Sequence, residues 1–242
     1  MNKFSVVMHH KCATQLVRLF LEDVCTLNKL TLFHSHLSTQ LPSPEHDFSL
    51  LTNADYSKLA KGDPGACVHI FRNPLSIVAS AYYSHLHSHP LEHWPRLKEQ
   101  RALLAGLPKE QGMWATLSFL ESRDFGLNII APLTGLSRWD FDDDRFEPVK
   151  MEDMSRDIVA TLSPRIEARL GRAITRPDPA KFAFAALSRG RQQGETDAKS
   201  HYRSGTTDSW KLDLPADLVN HILERYEEVF RRFYPEVYGM VP

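Results

Sequence analysis

A lysine stands near the start of the chain, where a strand-like segment gives way to a helical pattern. The stretch FSVVMHHKCATQLVRLF contains a short apolar run, then Lys11, then residues 14–27 with apolar side chains at helical spacing. The first turn of a helix has free backbone N–H groups and the positive end of the helix dipole, so it attracts anions. Lys11 adds a positive charge, and Cys12, Ala13 and Thr14 are small enough to let a phosphate approach the backbone. The stretch therefore predicts an anion site.

This lysine does not belong to the common nucleotide-binding loop. That loop has the pattern G-x-x-x-x-G-K-[ST], and no glycine occurs between Met1 and Asn28. A standard nucleoside-triphosphatase loop is therefore a poor fit. Taken alone, the junction also fits a solvated lysine at a turn.

A second cation follows the most strand-like run of the chain, residues 66–71. In VHIFRNPLSIVASAYYSH, Arg72 comes at the end of this run, and Asn73-Pro74 is typical of a helix start. Ser80 lies seven residues past the expected N-cap, nearly two turns along, so it returns to the same face. Arginine can hold a phosphate with two parallel hydrogen bonds, and a serine hydroxyl can donate a third. The alternative is a surface arginine beside an ordinary helical serine.

A third basic segment lies near the C-terminal end. The sequence HYRSGTTDSWK is polar and contains a glycine, which is typical of a loop. Arg203 and Gly205 would let a side chain and the backbone close over an anion. A solvated surface loop is the alternative, although loops carry binding groups more often than cores do.

The elements that position these residues alternate between strands and helices. The sequence predicts strands in SVVM, residues 30–34, FSLLT, residues 66–71 and FEPVKM, and a long amphipathic helix in DLVNHILERYEEVFRRF. Such alternation is typical of an α/β domain with a central, mostly parallel sheet flanked by helices. Ligands of such sheets bind at the carboxyl ends of the strands. We expect one domain over residues 1–242.

The overall composition limits the classes of partner. The chain has 242 residues, 42% of them apolar and 24% charged, with a formal net charge of −1, so no global field attracts nucleic acid. The three cysteines have neither metal-ligand nor disulfide spacing, which fits a reducing compartment. No apolar run is long enough to span a bilayer, and the N-terminus lacks a signal-peptide layout. We expect a cytoplasmic protein that neither inserts into membranes nor binds nucleic acid.

Together the basic segments resemble the sulfotransferases that use 3′-phosphoadenosine-5′-phosphosulfate (PAPS). KCATQ is similar to that family's K-x-G-T-T loop, with Ala13 in place of the glycine and Leu16 where a tryptophan is frequent. FRNPLSIVAS is similar to the family's R-[DN]-P-x-x-x-x-x-S segment. RSGTTDSWK resembles the R-x-G-x-x-[GD]-x-W-K loop, although Asp208-Ser209 replaces the usual Gly-Asp step. VKMEDM resembles Y-E-D-[LM], with Met151 at a position where an aromatic residue is common.

The resemblance implies a P-loop-like fold and transfer of a sulfuryl group from PAPS to an acceptor hydroxyl or amine, without a metal. It implies that Lys11 stabilises the leaving oxygen and that the backbone of residues 12–15 (Cys12, Ala13, Thr14 and Gln15) holds the 5′-phosphate. The residues it implies for the 3′-phosphate are Arg72, Ser80, Arg203, Ser204 and Gly205.

The general base is less well defined by the sequence. In one branch of the family a glutamate follows the second strand, and FHSHLS occupies that place here. His36 lies past the strand end, and its ordinary pKa suits base catalysis, so we prefer it to His34, His46 and His10. The histidine-rich HLHSHPLEHW lacks a convergent metal-ligand spacing and is interpreted as a polar loop bordering the acceptor site.

Two other functions share the predicted sheet. A P-loop nucleotide or small-molecule kinase would need the absent glycine-rich loop, and a non-catalytic nucleotide-binding relative would not need Lys11. The sequence does not identify the acceptor among small metabolites, lipids, glycans and peptide tyrosines, nor the adenine-stacking side chain, nor the oligomeric state.

Overall fold

Five short strands form one parallel sheet in the computed structural model, which describes residues 3–239 except residues 93, 124 and 127. The strands lie side by side in the order β2-β3-β1-β4-β5, and every neighbouring pair is parallel. Their bounds are β1 (Phe4–Met8), β2 (Leu32–Ser35), β3 (Phe48–Leu51), β4 (Cys67–Phe71) and β5 (Phe146–Lys150).

The central strands are buried on both faces. Every residue of β1, β3 and β4 is buried, which is why these strands have apolar runs rather than alternating polar residues. In the registers, Val7 of β1 pairs with Leu51 of β3 on one side and with His69 of β4 on the other. The prediction of an α/β domain with a parallel sheet is confirmed.

Helices cover the sheet and connect its strands. A π-helix, Ser84–Ser88, continues α3, and a short 3₁₀-helix is formed by Pro179–Phe182. The α-helices are α1 (Thr14–Asn28), α2 (Tyr56–Leu59), α3 (Pro74–Tyr83), α4 (Pro95–Gly106), α5 (Lys109–Glu121), α6 (Pro132–Ser137), α7 (Met151–Met154), α8 (Ile158–Leu170), α9 (Phe184–Leu187), α10 (Trp210–Asp213), α11 (Ala216–Arg225), α12 (Glu227–Phe233) and α13 (Pro235–Tyr238). Among the described residues, no helix is both long and apolar enough to cross a membrane.

The predicted C-terminal helix is wrong in one respect, because the chain forms two helices there. Tyr226 separates α11 from α12 with φ −115° and ψ 29°, outside the helical range. Its buried hydroxyl donates to Glu121 Oε1 at 2.5 Å, which ties this point to α5. The expected apolar face is nevertheless buried at Leu218, Ile222 and Val229.

The chain reverses its direction across the sheet between β1 and β4. From β1 it passes to β2 and β3 on one side, and then crosses to β4 and β5 on the other. Adjacent connections therefore diverge at the carboxyl ends of β1 and β4, and ligands of open α/β sheets bind in the crevice that such divergence leaves. Lys11 and Arg72 follow these two strands.

A half-buried carboxylate anchors the connection that follows β4. Glu152 accepts one hydrogen bond from the backbone N–H of Asn73 (3.1 Å) and one from the Tyr234 hydroxyl (2.9 Å). The Asn73 side chain accepts from the N–H of Leu75 at 2.9 Å and so caps α3. Glu152 thus fixes the backbone directly beyond Arg72.

We expect Glu152→Ala to lower the free energy of unfolding by about 1–3 kcal/mol, because two donors lose their partner. The neighbouring Asp153→Ala is the matched control. Asp153 forms only partly exposed ion pairs with Lys150 and Arg156, so its loss should cost about 0.5 kcal/mol or less. Urea denaturation of the two variants measures both values, and equal losses would contradict the anchoring role of Glu152.

Candidate functional site

The turn between β1 and α1 has an unusual backbone conformation. Lys11 and Ala13 both lie in the left-handed region, with φ of 70° and 65°. No side chain caps α1, so the N–H groups of its first turn stay available to a ligand. An alanine with positive φ is strained by about 1–2 kcal/mol, which explains why glycine suits the position of Ala13.

Arg72 meets this turn from the end of β4. Its Nη1 donates to the carbonyl of Lys11 at 2.9 Å, while its buried Nε has no partner in the described part of the chain. Desolvation and the charge of Arg72 lower the pKa of Lys11 to about 7. Neither cation forms an ion pair with a described carboxylate. The positive charges of Lys11 and Arg72 therefore lie together in one desolvated region, which we call the Lys11–Arg72 corner. Binding of an anion there would be favourable.

Arg203 reaches the same region but is already paired. Desolvation lowers the pKa of Arg72, the charge of Glu152 opposes that effect, and the charge of Arg203 adds a smaller lowering. One Arg203 nitrogen donates to Asp213 at 2.9 Å, another donates to the Ser209 hydroxyl, and the guanidinium stacks 4.4 Å from the Tyr83 ring centroid. A phosphate would have to compete with Asp213 for this arginine.

The segment around Arg203 is held against α3 by a serine that the sequence analysis missed. Ser76 donates from its hydroxyl to the carbonyl of Thr207 at 2.6 Å. Ser80 lies one turn further along α3 and is half-buried. Ser204 is buried and shares a 2.9 Å hydrogen bond with the Thr206 hydroxyl. No local signal in the sequence identifies Ser76, because its partner lies 131 residues away.

The four candidate bases lie at three different places in the fold, because only His34 and His36 are neighbours. His36 follows β2, and its Nδ1 is 2.7 Å from the Thr52 hydroxyl. His34 packs edge to face against His36, with 4.5 Å between ring centroids, and its pKa is lowered to about 4 by desolvation and by the charges of His36 and Arg18. His46 precedes β3 and therefore lies at the amino ends of the strands, away from Lys11.

His10 belongs to a histidine cluster that the sequence analysis did not predict. Its Nε2 lies 3.1 Å from Nε2 of His85, and its ring lies 5.2 Å from the ring of His89 and 5.6 Å from that of Trp94. Lys11 lowers the pKa of His10, after desolvation, and the pKa of His201 falls to about 4 in the same way. We call His10, His85, His89 and His201 the histidine cluster.

The π-helix explains how this cluster forms. It places His85 and His89 against the β1–α1 turn, and π-helical turns are frequent at functional sites. Arg101 of α4 holds this turn, because it donates from Nε to the carbonyl of His85 (2.6 Å) and from Nη2 to that of His89 (2.7 Å). The sequence analysis interpreted residues 85–94 as a polar loop, whereas the structure forms a π-helix over Ser84–Ser88, for which the sequence has no local signal. No group of three or more His, Cys, Asp or Glu side chains is arranged to hold a metal in the described ranges.

A separate surface groove of about 320 Å³ lies along β5, and the pairing of its charges differs from that of Lys11 and Arg72. Each of its cations is paired with a carboxylate, so the groove offers an anion no free charge. The pairs are Lys150 with Asp153, Arg165 with Glu147, and Arg232 with Asp142.

Comparison with known proteins defines the fold. No protein-family model and no curated protein matches the sequence. Mouse sulfotransferase SULT7A1 complexed with PAP superposes with a TM-score of 0.59 and 13% identity, over 96% of this chain and 86% of that chain. Retinol dehydratase in complex with androsterone and the inactive cofactor PAP superposes with a TM-score of 0.56 and 12% identity, over 94% of this chain and 80% of that chain. The complex of retinol dehydratase with retinol and PAP superposes with a TM-score of 0.53 and 11% identity, over 95% of this chain and 81% of that chain. The chain therefore has the sulfotransferase fold.

Gly205 offers a test of the packing of the loop that carries Arg203. Its φ is +66°, and a Cβ there would lie 2.5 Å from the Phe184 ring. We expect Gly205→Ala to destabilise the protein by about 1–3 kcal/mol through strain and overpacking. Gly194→Ala is the control, because Gly194 has positive φ (+99°) and nothing within 4 Å of its Cβ position. Thermal unfolding should separate the two variants, and equal effects would show that the Phe184 contact is unimportant.

Proposed function

We propose that the protein is a PAPS-dependent sulfotransferase that transfers a sulfuryl group to a hydroxyl or amine of a small-molecule acceptor. The observation that carries the proposal is the contact between Lys11 and Arg72, two cations without an ion-paired carboxylate among the described residues, at the strand ends of a sulfotransferase fold. The bisphosphate PAP, named in the complexes of all three structural neighbours, is the kind of anion that such a corner would bind.

The proposed binding roles follow the position of each group. The backbone N–H groups of residues 12–15 would hold the 5′-phosphate at the start of α1. The N–H of Cys12 donates to the carbonyl of His9 at 3.2 Å and would have to exchange that partner for the phosphate. Arg72, with its unpartnered Nε, and Ser80 would hold the 3′-phosphate together with Arg203 and the backbone of residues 204 and 205. Lys11 would stabilise the charge that develops on the leaving oxygen. Catalysis would come mainly from positioning and from charge stabilisation, as in phosphoryl transfer.

His36 is the proposed general base. The Thr52 hydroxyl has one proton, and it lies 3.3 Å from the carbonyl of Ser35, which can only accept. When Thr52 donates to that carbonyl, its oxygen accepts from Nδ1–H of His36. The lone pair is then on Nε2 of His36, where it can take the acceptor's proton. Desolvation and Arg18 lower the pKa of His36 below 6.5, so the ring is mostly neutral at physiological pH.

Binding of PAP tests the donor site. We expect calorimetry to show PAP binding without a metal and no comparable binding of ATP with magnesium, and the reverse preference would favour the kinase. Because a lysine binds phosphate only when protonated, PAP affinity should fall as the pH rises above about 7, the pKa of Lys11.

Lys11→Met provides the control for that pH dependence. The variant should bind PAP at least tenfold more weakly at pH 6.5, and its affinity should no longer fall between pH 6.5 and 8.5. If this variant retained the wild-type pH dependence, the proposed contact of Lys11 with the donor would be wrong. Transfer of radiolabelled sulfate from PAPS to an acceptor then separates an enzyme from a non-catalytic binder.

The pH dependence of kcat/KM tests the base. A base must be neutral, and the pKa of His36 is lowered, so the rate should rise with pH through a midpoint below 6.5. We expect His36→Asn to reduce kcat by about 10²-fold or more and to abolish this acidic limb. His46→Asn, at the opposite end of the sheet, should leave both unchanged. An acidic limb that persists in His36→Asn would point to another base, with His10→Asn the next variant to measure.

A further inference from the structure

The histidine cluster is larger than deprotonation of one acceptor requires. One imidazole is sufficient as a general base, and His36 is placed for that role beyond β2. His10, His85 and His89 form a separate group, with an Nε2–Nε2 distance of 3.1 Å for His10 and His85 and ring centroids 5.2 Å apart for His10 and His89. The cluster therefore needs an explanation of its own.

No acidic side chain balances this group among the residues that the structure describes. None of the four cluster histidines forms a hydrogen bond or an ion pair with a described carboxylate. The charged groups that face them are cations: Lys11 from the β1–α1 turn and Arg101 from α4, with the titratable His36 beyond β2. An oxyanion placed here would meet no repelling charge. In the neutral state His89 Nδ1 donates to the carbonyl of Pro90 at 3.0 Å, so its Nε2 becomes an N–H donor for an oxyanion only when the ring is protonated.

A buried nitrogen in the cluster has no partner. His85 is completely buried, and its Nδ1 forms no hydrogen bond within the described part of the chain. Its Nε2 is engaged with His10, and Arg101 holds its backbone carbonyl. Leaving a buried polar atom unpaired costs about 1–3 kcal/mol, a cost that a ligand able to hydrogen-bond to it can remove.

We propose that the acceptor of this enzyme carries an oxyanion group, such as a carboxylate or a phosphate, and that His10, His85 and His89 bind that group beside Lys11. The proposal rests on the proposed sulfuryl transfer and adds the chemical class of the acceptor. It contrasts with the retinol and androsterone bound by the retinol dehydratase structures, which carry no ionised group.

Protonation would couple to binding of such an acceptor. Desolvation and neighbouring cations lower the pKa of His89 to about 4 and that of His85 well below its usual value, so both are neutral near pH 7. An oxyanion favours the charged imidazolium and raises these pKa values. Binding of the anionic acceptor should therefore take up protons, and binding of a neutral isostere should not.

Matched acceptor pairs give the first test. Each pair consists of a hydroxyl compound with a carboxylate and the same compound with a carboxamide: 4-hydroxybenzoate with 4-hydroxybenzamide, and methyl glucuronide with its amide. We expect at least tenfold higher kcat/KM for the carboxylate of any pair that is sulfated. The preference should fall in His89→Gln, whereas PAP affinity should not change. Equal or better turnover of the amides overturns the proposal.

A second test does not depend on the acceptor scaffold. Histidine pKa values are followed by NMR in the PAPS-loaded protein during addition of acetate or inorganic phosphate, with acetamide and sodium chloride as controls. We expect upward shifts of the cluster histidines, whereas His221, which packs on Trp114 elsewhere, should not respond. Absence of any shift overturns the proposal. Failure of PAP to bind in calorimetry would instead overturn the sulfotransferase assignment, and the acetate titration of the unliganded protein would still decide whether the cluster binds oxyanions.

Discussion

The candidate site depends on one electrostatic conflict: Lys11 and Arg72 are brought together at the ends of adjacent strands, and neither forms an ion pair with a described carboxylate. The charge of Glu152 offsets only part of the desolvation that lowers the pKa of Arg72. Arg72 donates to the backbone of Lys11, and the pKa of Lys11 falls to about 7 because both desolvation and Arg72 oppose its charge. Such an arrangement destabilises the empty protein, since each pKa unit corresponds to about 1.4 kcal/mol. An anion that fills the corner relieves both effects, and perturbed charges of this kind are typical of binding sites rather than of structural ion pairs.

The surrounding structure keeps this conflict from relaxing. Glu152 fixes the backbone just beyond Arg72, and Ser76 ties the segment before α10 to α3. In contrast, Arg203 is neutralised by Asp213, which also accepts from Tyr83 at 2.6 Å and from Lys109 at 3.2 Å. Arg72 is thus held in place without an ion-paired carboxylate among the described residues, whereas Arg203 would have to exchange Asp213 for a phosphate. A phosphate would gain less from Arg203 than from Arg72, because the Asp213 contact offsets the gain.

The sequence predicted the framework better than the acceptor side, for physical reasons. Strand runs such as CVHIF and the Asn73-Pro74 helix start are local signals, and a parallel sheet brings their ends together at one edge. The π-helix has no such signal, so the contact of His85 and His89 with His10 could not be derived. Ser76 was missed because its role depends on a carbonyl 131 residues away. The break at Tyr226 depends likewise on Glu121, 105 residues distant in sequence.

The strand order determines how Lys11, Arg72 and His36 are arranged along the edge of the sheet. Lys11 follows β1, Arg72 follows the adjacent β4, and His36 follows β2, which lies beyond β3 on the other side. With strands about 4.8 Å apart, Lys11 lies about one spacing from Arg72 and about two from His36. A donor anchored by its phosphates near β1 and β4 would then present its transferable group over Lys11, toward β2 and the histidine cluster.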